Sequence, residues 1–300
     1  MTGFLYCSDP LRPGRTDPAF AEEAAAVRGS GAAPGSGPAV ALVDHDALVA
    51  GDAVAAVRRV PRGSGTYVYR GWMVTSARYA ELDRALRARD CALFTRPEAY
   101  RTAHELPGWY GAFAGITPRS VWCEGPVEKL DRAGADFWAA LARPLGRGPG
   151  IVKDFVKSRK HEWHEACYVP ELADGERLAA VVGRFVELQG EFLAGGVVLR
   201  SFEAFVPEGE ARIWWLDGEP VLVTAHPDTP GAPPPTAEEL GPLLPAVREA
   251  LSGLGCRFVA TDLALREDGV RRVVEVGDGQ VSGLPAGADP GPLLTTLAKA

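Results

Sequence analysis

Lysine is nearly absent from this 300-residue chain, which has five lysines against 27 arginines. Long apolar runs are absent as well. None approaches the ~18 residues that span a membrane, and Met1 to Arg15 lacks the basic start and apolar stretch of a secretory leader. The expectation is therefore a cytoplasmic protein with no membrane partner. Close cysteine pairs are lacking too: Cys7, Cys91, Cys123, Cys167 and Cys256 are odd in number and widely scattered, which argues against a zinc site or a redox pair and for buried thiols. The histidines form no recognisable metal cluster, although His161 and His164 are spaced to meet on one helical face. A net charge of -7 provides no overall positive field, so nucleic acid is not an expected partner. With 46% apolar and 24% charged residues, the chain is neither wholly disordered nor fibrous, and its length favours two domains. Neither a Walker A motif nor the protein-kinase signature set is present.

What is there begins with an α/β pattern. An apolar start (Gly3 to Cys7), a helical segment (Pro18 to Val27) and strand candidates at Ala39 to Val43, Thr66 to Arg70 and Cys91 to Phe94, with a helix from Ser76 to Arg89, imply a parallel sheet and a boundary near Thr95 and Arg96. The glycine-rich run Gly29 to Gly37 follows a helix and is interrupted by Pro34, so it reads as a loop and not as a dinucleotide fingerprint. Pro97 to Gly150 reads as helical with breaks. A buried strand then spans Ile151 to Val156, a helix Gly175 to Leu193 and a strand Val197 to Phe205. Two Asp-Gly turns predict late hairpins, one at Asp217-Gly218 and one at Asp268-Gly269.

Three of the five lysines, Lys153, Lys157 and Lys160, fall directly after one strand. An ammonium is a compact point charge suited to phosphate, although a solvated basic loop remains the bland reading. In the second late hairpin, a two-residue Asp268-Gly269 loop would set Asp262 opposite Glu275. Like charges so placed, with Cβ atoms ~5 Å apart, weaken a sheet unless a cation lies between them. Oxygen-only ligands favour magnesium or manganese bridged to phosphates, and Asp278 or Gln280 can add to such a site. The alternative is a charged, solvent-facing hairpin edge. Strand alternation places Glu210, Arg212 and Trp214 on one face. Arg212 also fits a cross-strand ion pair, and Trp214 and Trp215 fit a core. Arg70 and Arg96 are candidates for a substrate carboxylate.

The order Ile151-Val152-Lys153-Asp154-Phe155-Val156-Lys157-Ser158-Arg159-Lys160-His161-Glu162-Trp163, then Val198 to Glu203, Glu210 to Ile213, Thr261-Asp262-Leu263 and Glu275 to Gln280 resembles the ATP-grasp superfamily. Within it, the likeness is to the clade named for one arginine and two lysines. The resemblance implies an α+β fold, with two α+β subdomains clamping ATP over residues 96–300, preceded by a small Rossmann-like α/β domain over 1–95. It also implies roles. Lys153 would reach the α and β phosphates, and Lys157 and Lys160 would lie on a closing loop. The backbone of Glu203, Ala204 and Phe205 would read adenine, and Glu210 would take the ribose. Arg212 would steady the γ-phosphate, and Asp262 and Glu275 would hold Mg2+ or Mn2+, with Asp278 in support. One departure stands out: the family often has asparagine two residues after the glutamate, where this chain has Gly277. The implied activity is ATP-dependent ligation of a small-molecule carboxylate to an amine through an acyl phosphate. The alternatives are a nucleotide-binding partner protein without turnover and a phosphotransferase.

Overall fold

A computed structural model describes residues 2–30, 37–207 and 209–300; positions 31–36 of the glycine-rich run lie outside the described residues. In it, β1 (Gly3–Cys7), β2 (Val40–Val43), β3 (Gly65–Arg70) and β4 (Cys91–Leu93) form a parallel sheet in the order β2-β1-β3-β4. The near-continuous apolar run of β1 is what a strand covered on both faces requires. Leu5 and Cys7 join Val43, Tyr67, Tyr69, Tyr79 and Leu82 on one side. Phe4 and Tyr6 join Val68, Trp214, Phe258 and Leu293 on the other. Helix Ser76–Arg87 is started by Thr75, whose hydroxyl accepts the Arg78 N–H.

The next four strands are β5 (Ser120–Glu124), β6 (Gly150–Asp154), β7 (Tyr168–Val169) and β8 (Gly196–Ser201), an antiparallel sheet in the order β5-β8-β6-β7. β5 corrects the helical reading of 97–150. It is five residues long, flanked by Pro118 and Gly125-Pro126, and is specified by its partner β8 more than by any periodicity of its own. Helix Gly175–Gln189 lays Leu178, Val181, Val182, Phe185 and Val186 against Val152, Val197 and Leu199. It ends at Gln189, short of the expected Leu193, because Gly190 takes a positive φ of 51°. Strand β8 also stops early, at Ser201.

The third sheet contains β9 (Ala211–Leu216), β10 (Glu219–Ala225), β11 (Phe258–Leu265) and β12 (Arg271–Asp278) in the order β10-β9-β11-β12. At the first late hairpin Leu216 faces Glu219, and Asp217 and Gly218 both have positive φ, at 52° and 82°, the turn that an Asp-Gly pair favours. The second hairpin departs from expectation. Gly269 N–H donates to Arg266 O and Arg266 N–H to Val270 O, both at 2.9 Å, with Gly269 at φ 86°. The loop is thus Glu267-Asp268-Gly269, three residues closing in a bulge. Pairing at its mouth is shifted by one residue, and direct opposition of Asp262 and Glu275 no longer follows from the turn.

The chain divides into two compact units. One comprises Met1–Ala103, Glu210–Asp262 and Glu275–Ala300, and the other His104–Gly209 and Leu263–Val274. Among the described residues, no helix is long and apolar enough to cross a membrane.

The first unit is tied together by Arg70, which is 1% exposed. Its Nε and Nη2 donate to both carboxylate oxygens of Glu23 at 2.9 and 2.8 Å, and its Nη1 donates to the carbonyls of Gly279, Gln280 and Ser282 at 2.8 to 3.0 Å. Arg70 therefore holds the fold and does not face a substrate. Arg70→Met should lower the unfolding free energy by about 3–5 kcal/mol, the cost of leaving half of a buried ion pair alone, as measured by urea denaturation. A loss below ~1 kcal/mol, the range of surface pairs, would show that this anchor is dispensable.

Candidate functional site

In the second unit, Asp154 builds the turn that carries the lysines. Its carboxylate is buried and accepts the N–H groups of Val156 and Lys157 at 2.7 and 2.5 Å. The other oxygen accepts Gln189 Nε2 at 2.7 Å and Ala194 N–H at 3.3 Å. The chain turns back so that Lys153 bridges Ser158 and Asp154 N–H donates to Lys157 O. Lys153 is buried, with Nζ donating to Asp154 O at 3.1 Å, whereas Lys157 and Lys160 are exposed. His104 reports on both of the first two. Burial, then the charges of Lys157 and Lys153, push its pKa down to about 3, so the ring is neutral. It carries no local sequence signal, being a lone histidine about fifty positions ahead of the lysines.

The segment after β8 is an edge. Ala204 O accepts the Glu267 N–H, Val206 N–H donates to Leu265 O, and Phe205 faces Arg266 in an isolated antiparallel bridge. By the alternation of an antiparallel bridge, the N–H and C=O of Phe205 turn to the opposite edge. The Glu203 side chain is held by Arg272 and Arg266. Beside this edge, Trp163 stacks on Tyr168 with centroids 5.2 Å apart, and Phe202 meets both rings edge-on.

In the first unit, Arg212 and Asp262 form a bidentate pair, Nε to Oδ1 at 2.6 Å and Nη2 to Oδ2 at 2.7 Å. Arg212 also donates to Gly283 O and lies over the Trp214 ring. Trp214 and Trp215 are wholly buried core residues. His226, which the sequence alone does not single out, completes the cluster. Its Nδ1 accepts the Asp228 N–H at 3.2 Å, which leaves Nε2, 3.4 Å from Asp262 Oδ2, to carry a proton. Glu210 Oε2 lies 3.6 Å from Nδ1. The Arg212 guanidinium also lies in the field of Glu275.

Asp278 is placed differently. It is fully buried, and it accepts Gln280 N–H and Nε2 at 2.9 and 3.0 Å while Cys256 Sγ lies 3.6 Å away. Burial pushes its carboxyl up to about 6 despite those hydrogen bonds. Gln280 is itself committed to Tyr69 N–H and Tyr79 OH. Among the described residues, no group of three or more His, Cys, Asp or Glu side chains is arranged to hold a metal ion. Asp262 and Glu275 carry hard carboxylate oxygens of the kind magnesium accepts, one or two of which suffice when phosphates and water complete the shell, and both Asp262 oxygens already accept from Arg212.

The pH response of the cluster follows from its charges. Burial raises the Asp262 carboxyl, but the Arg212 hydrogen bonds and charge, then those of His226, more than offset this and hold it below the ordinary range. The stability it contributes is complete above the unfolded carboxylate value of ~4 and is lost as pH falls through the lower folded value. Urea titrations of wild type and Asp262→Asn should therefore differ at pH 7 by about 3–5 kcal/mol, the penalty for an abandoned buried partner, and should converge on acidification. A gap independent of pH would refute this account.

Over residues 144–297 the sequence matches a family model of the ATP-grasp domain, that of family 3 in the clade named for one arginine and two lysines. A comparison with curated proteins gives no match. Among solved structures the chain is similar to the D-cycloserine synthetase DcsG, at 18% identity and TM-score 0.63 over 99% of this chain and 98% of that one. It is similar to a RimK domain protein ATP-grasp from Sphaerobacter thermophilus, at 14% identity and TM-score 0.57 over 99% and 98%. It also resembles the ATP-grasp ligase PsnB, complexed with precursor peptide PsnA2 and AMPPNP, at 14% identity and TM-score 0.53 over 100% and 99%. At such identities the likenesses establish the fold alone, an α+β ATP-grasp fold. The family match extends over just over half of the chain and takes in Lys153, Arg212, Asp262 and Glu275, and on that match the chain belongs to family 3 of this arginine-and-two-lysine clade of ATP-grasp domains.

Proposed function

We propose that the protein is an ATP-dependent ligase that joins a small-molecule carboxylate to an amine. The observation that carries this reading is the turn built by Asp154, which folds the chain back so that Lys157 follows closely on Lys153 at the end of β6. Concentrated positive charge at a strand end suits a polyphosphate. Lys153 contacts the α and β phosphates, and Lys157 and Lys160 close over the triphosphate. The hinge at Glu203, Ala204 and Phe205 takes the adenine edge, and Glu210 takes the ribose. Arg212 steadies the γ-phosphate. Asp262 and Glu275 would hold Mg2+ or Mn2+, which supplies charge neutralisation between phosphate oxygens, with Asp278 acting from behind through the Gly277 to Gln280 backbone. A substrate carboxylate oxygen attacks the γ-phosphorus and ADP departs. The amine nitrogen then attacks the acyl carbon, phosphate leaves, and the amine proton is lost to solvent. Catalysis is positioning and electrostatics, with no covalent enzyme intermediate. On this reading residues 1–95 form the Rossmann-like pre-ATP-grasp module and 96–300 the ATP-grasp domain.

A second reading, a nucleotide-binding partner without turnover, is favoured by Gly277. A Cβ built there would meet only Ser282 Oγ at 3.7 Å, and the residue does not have a positive φ, so packing does not exclude a larger side chain where the family often has asparagine.

Lys153→Ala and Glu275→Ala should each reduce acceptor-dependent ADP release by at least about 100-fold, read by a coupled ADP assay across acid and amine panels. Wild type that binds Mg-ATP in calorimetry yet releases no ADP with any pair would select the second reading. Gly277→Asn should fold normally and lower the magnesium concentration needed for half-maximal ATP binding; no change would remove this position from the metal site.

A further inference from the structure

Gln189 closes the helix Gly175–Gln189 and is 8% exposed. Its amide holds two charged groups at once: Arg159 Nη1 donates to Oε1 at 3.1 Å, and Nε2 donates to Asp154 Oδ2 at 2.7 Å. A guanidinium can only donate and an ionised carboxylate can only accept, so these partners fix which end of the amide faces which. Arg159 Nη1 also donates to Leu188 O at 3.3 Å, one of the carbonyls that a helix end leaves without an internal partner. Its Nε and Nη2 grip Glu162 at 3.2 and 2.9 Å. The helix end thus stands between two stretches of chain. Asp154 ties it to the turn that carries Lys153 and Lys157, and Arg159 ties it to the short turn Lys160–Glu162. Four donors fill the lone pairs of Asp154, so loss of one leaves a buried carboxylate short of a partner.

We infer that Gln189 is a positioning residue for the nucleotide's phosphates, an inference that rests on the nucleotide reading above. By joining Asp154 to Arg159 it sets the distance between the turn of Lys153 and Lys157 and the turn of Lys160, so the ammonium groups meet a triphosphate already spaced. Such preorganisation spares the ligand the cost of ordering two separate turns. The amide touches no phosphate and acts through the two charged side chains that it bridges. The position calls for a neutral group, because a carboxylate would repel Asp154 and a cation would repel Arg159. Glutamine carries a donor and an acceptor at the end of one stem and serves both.

The test uses Gln189→Met, Gln189→Glu and the exchange Asp154→Asn with Gln189→Glu, each titrated with AMP, ADP and ATP by calorimetry in magnesium. Gln189→Met is unbranched, adds no charge and severs both contacts, and it carries the test should Gln189→Glu fail to fold. Gln189→Glu keeps the bond to Arg159 and sets two carboxylates against each other. The exchange moves the negative charge beside Arg159 and restores a donor between positions 154 and 189: the new amide nitrogen donates to the new carboxylate, while the amide oxygen still accepts the N–H groups of Val156 and Lys157. Each single substitution should weaken ATP binding about tenfold, in line with the loss of a charge-assisted hydrogen bond. The loss should be smaller for ADP and smallest for AMP, because fewer phosphates span the two turns. The exchange should bind ATP more tightly than either single substitution. Equal weakening of all three nucleotides, or an exchange no better than Gln189→Met, marks a merely structural role and overturns the inference. Wild type that binds no ATP overturns the nucleotide reading itself, whereas wild type and variants that bind ATP equally overturn only the role given to Gln189.

Discussion

A charge removed from water must meet an opposite charge, collect hydrogen bonds or give up its ionisation, and the described charged clusters show all three outcomes. Arg70 meets Glu23 and gathers three carbonyls. Asp154 satisfies its carboxylate with three backbone or amide donors nearby and one more from Ala194. His104, buried and within the field of two ammonium groups, stays neutral. Asp278, with only neutral donors around it, is poised to protonate far above an ordinary aspartate. These solutions decide which polar groups are committed to the fold.

The same constraint separates what is legible in the sequence from what is not. The lysine group is readable because lysine is rare here and follows a strand. The Asp217-Gly218 turn is readable because positive φ at two successive positions leaves few residue choices. The parallel first sheet is readable from apolar runs separated by helical spacing. By contrast, β5 exists because β8 pairs with it, and a five-residue strand between prolines has no distinctive period. The Asp268-Gly269 pair suggests a two-residue loop, yet the glycine sits one place later in the turn and shifts the register. Arg70 looks like a substrate ligand because nothing local shows that its partners are Glu23 and a loop some 209 residues away. His226 and His104 are invisible for the same reason: their partners are assembled by folding.

Distant likeness to DcsG, the RimK domain protein and PsnB extends along nearly the whole chain at 14 to 18% identity. Few side chains need agree for a backbone to persist at that level, provided that burial alternates correctly along the strands. Residues 202–206 illustrate this. Their bonds to Leu265 and Glu267 are main-chain hydrogen bonds, which any sequence supplies, while the side chain of Glu203 is held by Arg272 and Arg266.

The two-sided burial of β1 has a bearing on biogenesis. Leu5 and Cys7 find cover within the first hundred residues, but Phe4 and Tyr6 are capped by Trp214, Phe258, Leu293 and Leu297. A ribosome delivers those caps well after the sheet itself. Until then a growing chain carries an oily, half-dressed sheet, and non-local closure of this kind is slow and prone to self-association. Nascent protein of this design therefore has reason to lean on chaperones, however stable the finished molecule.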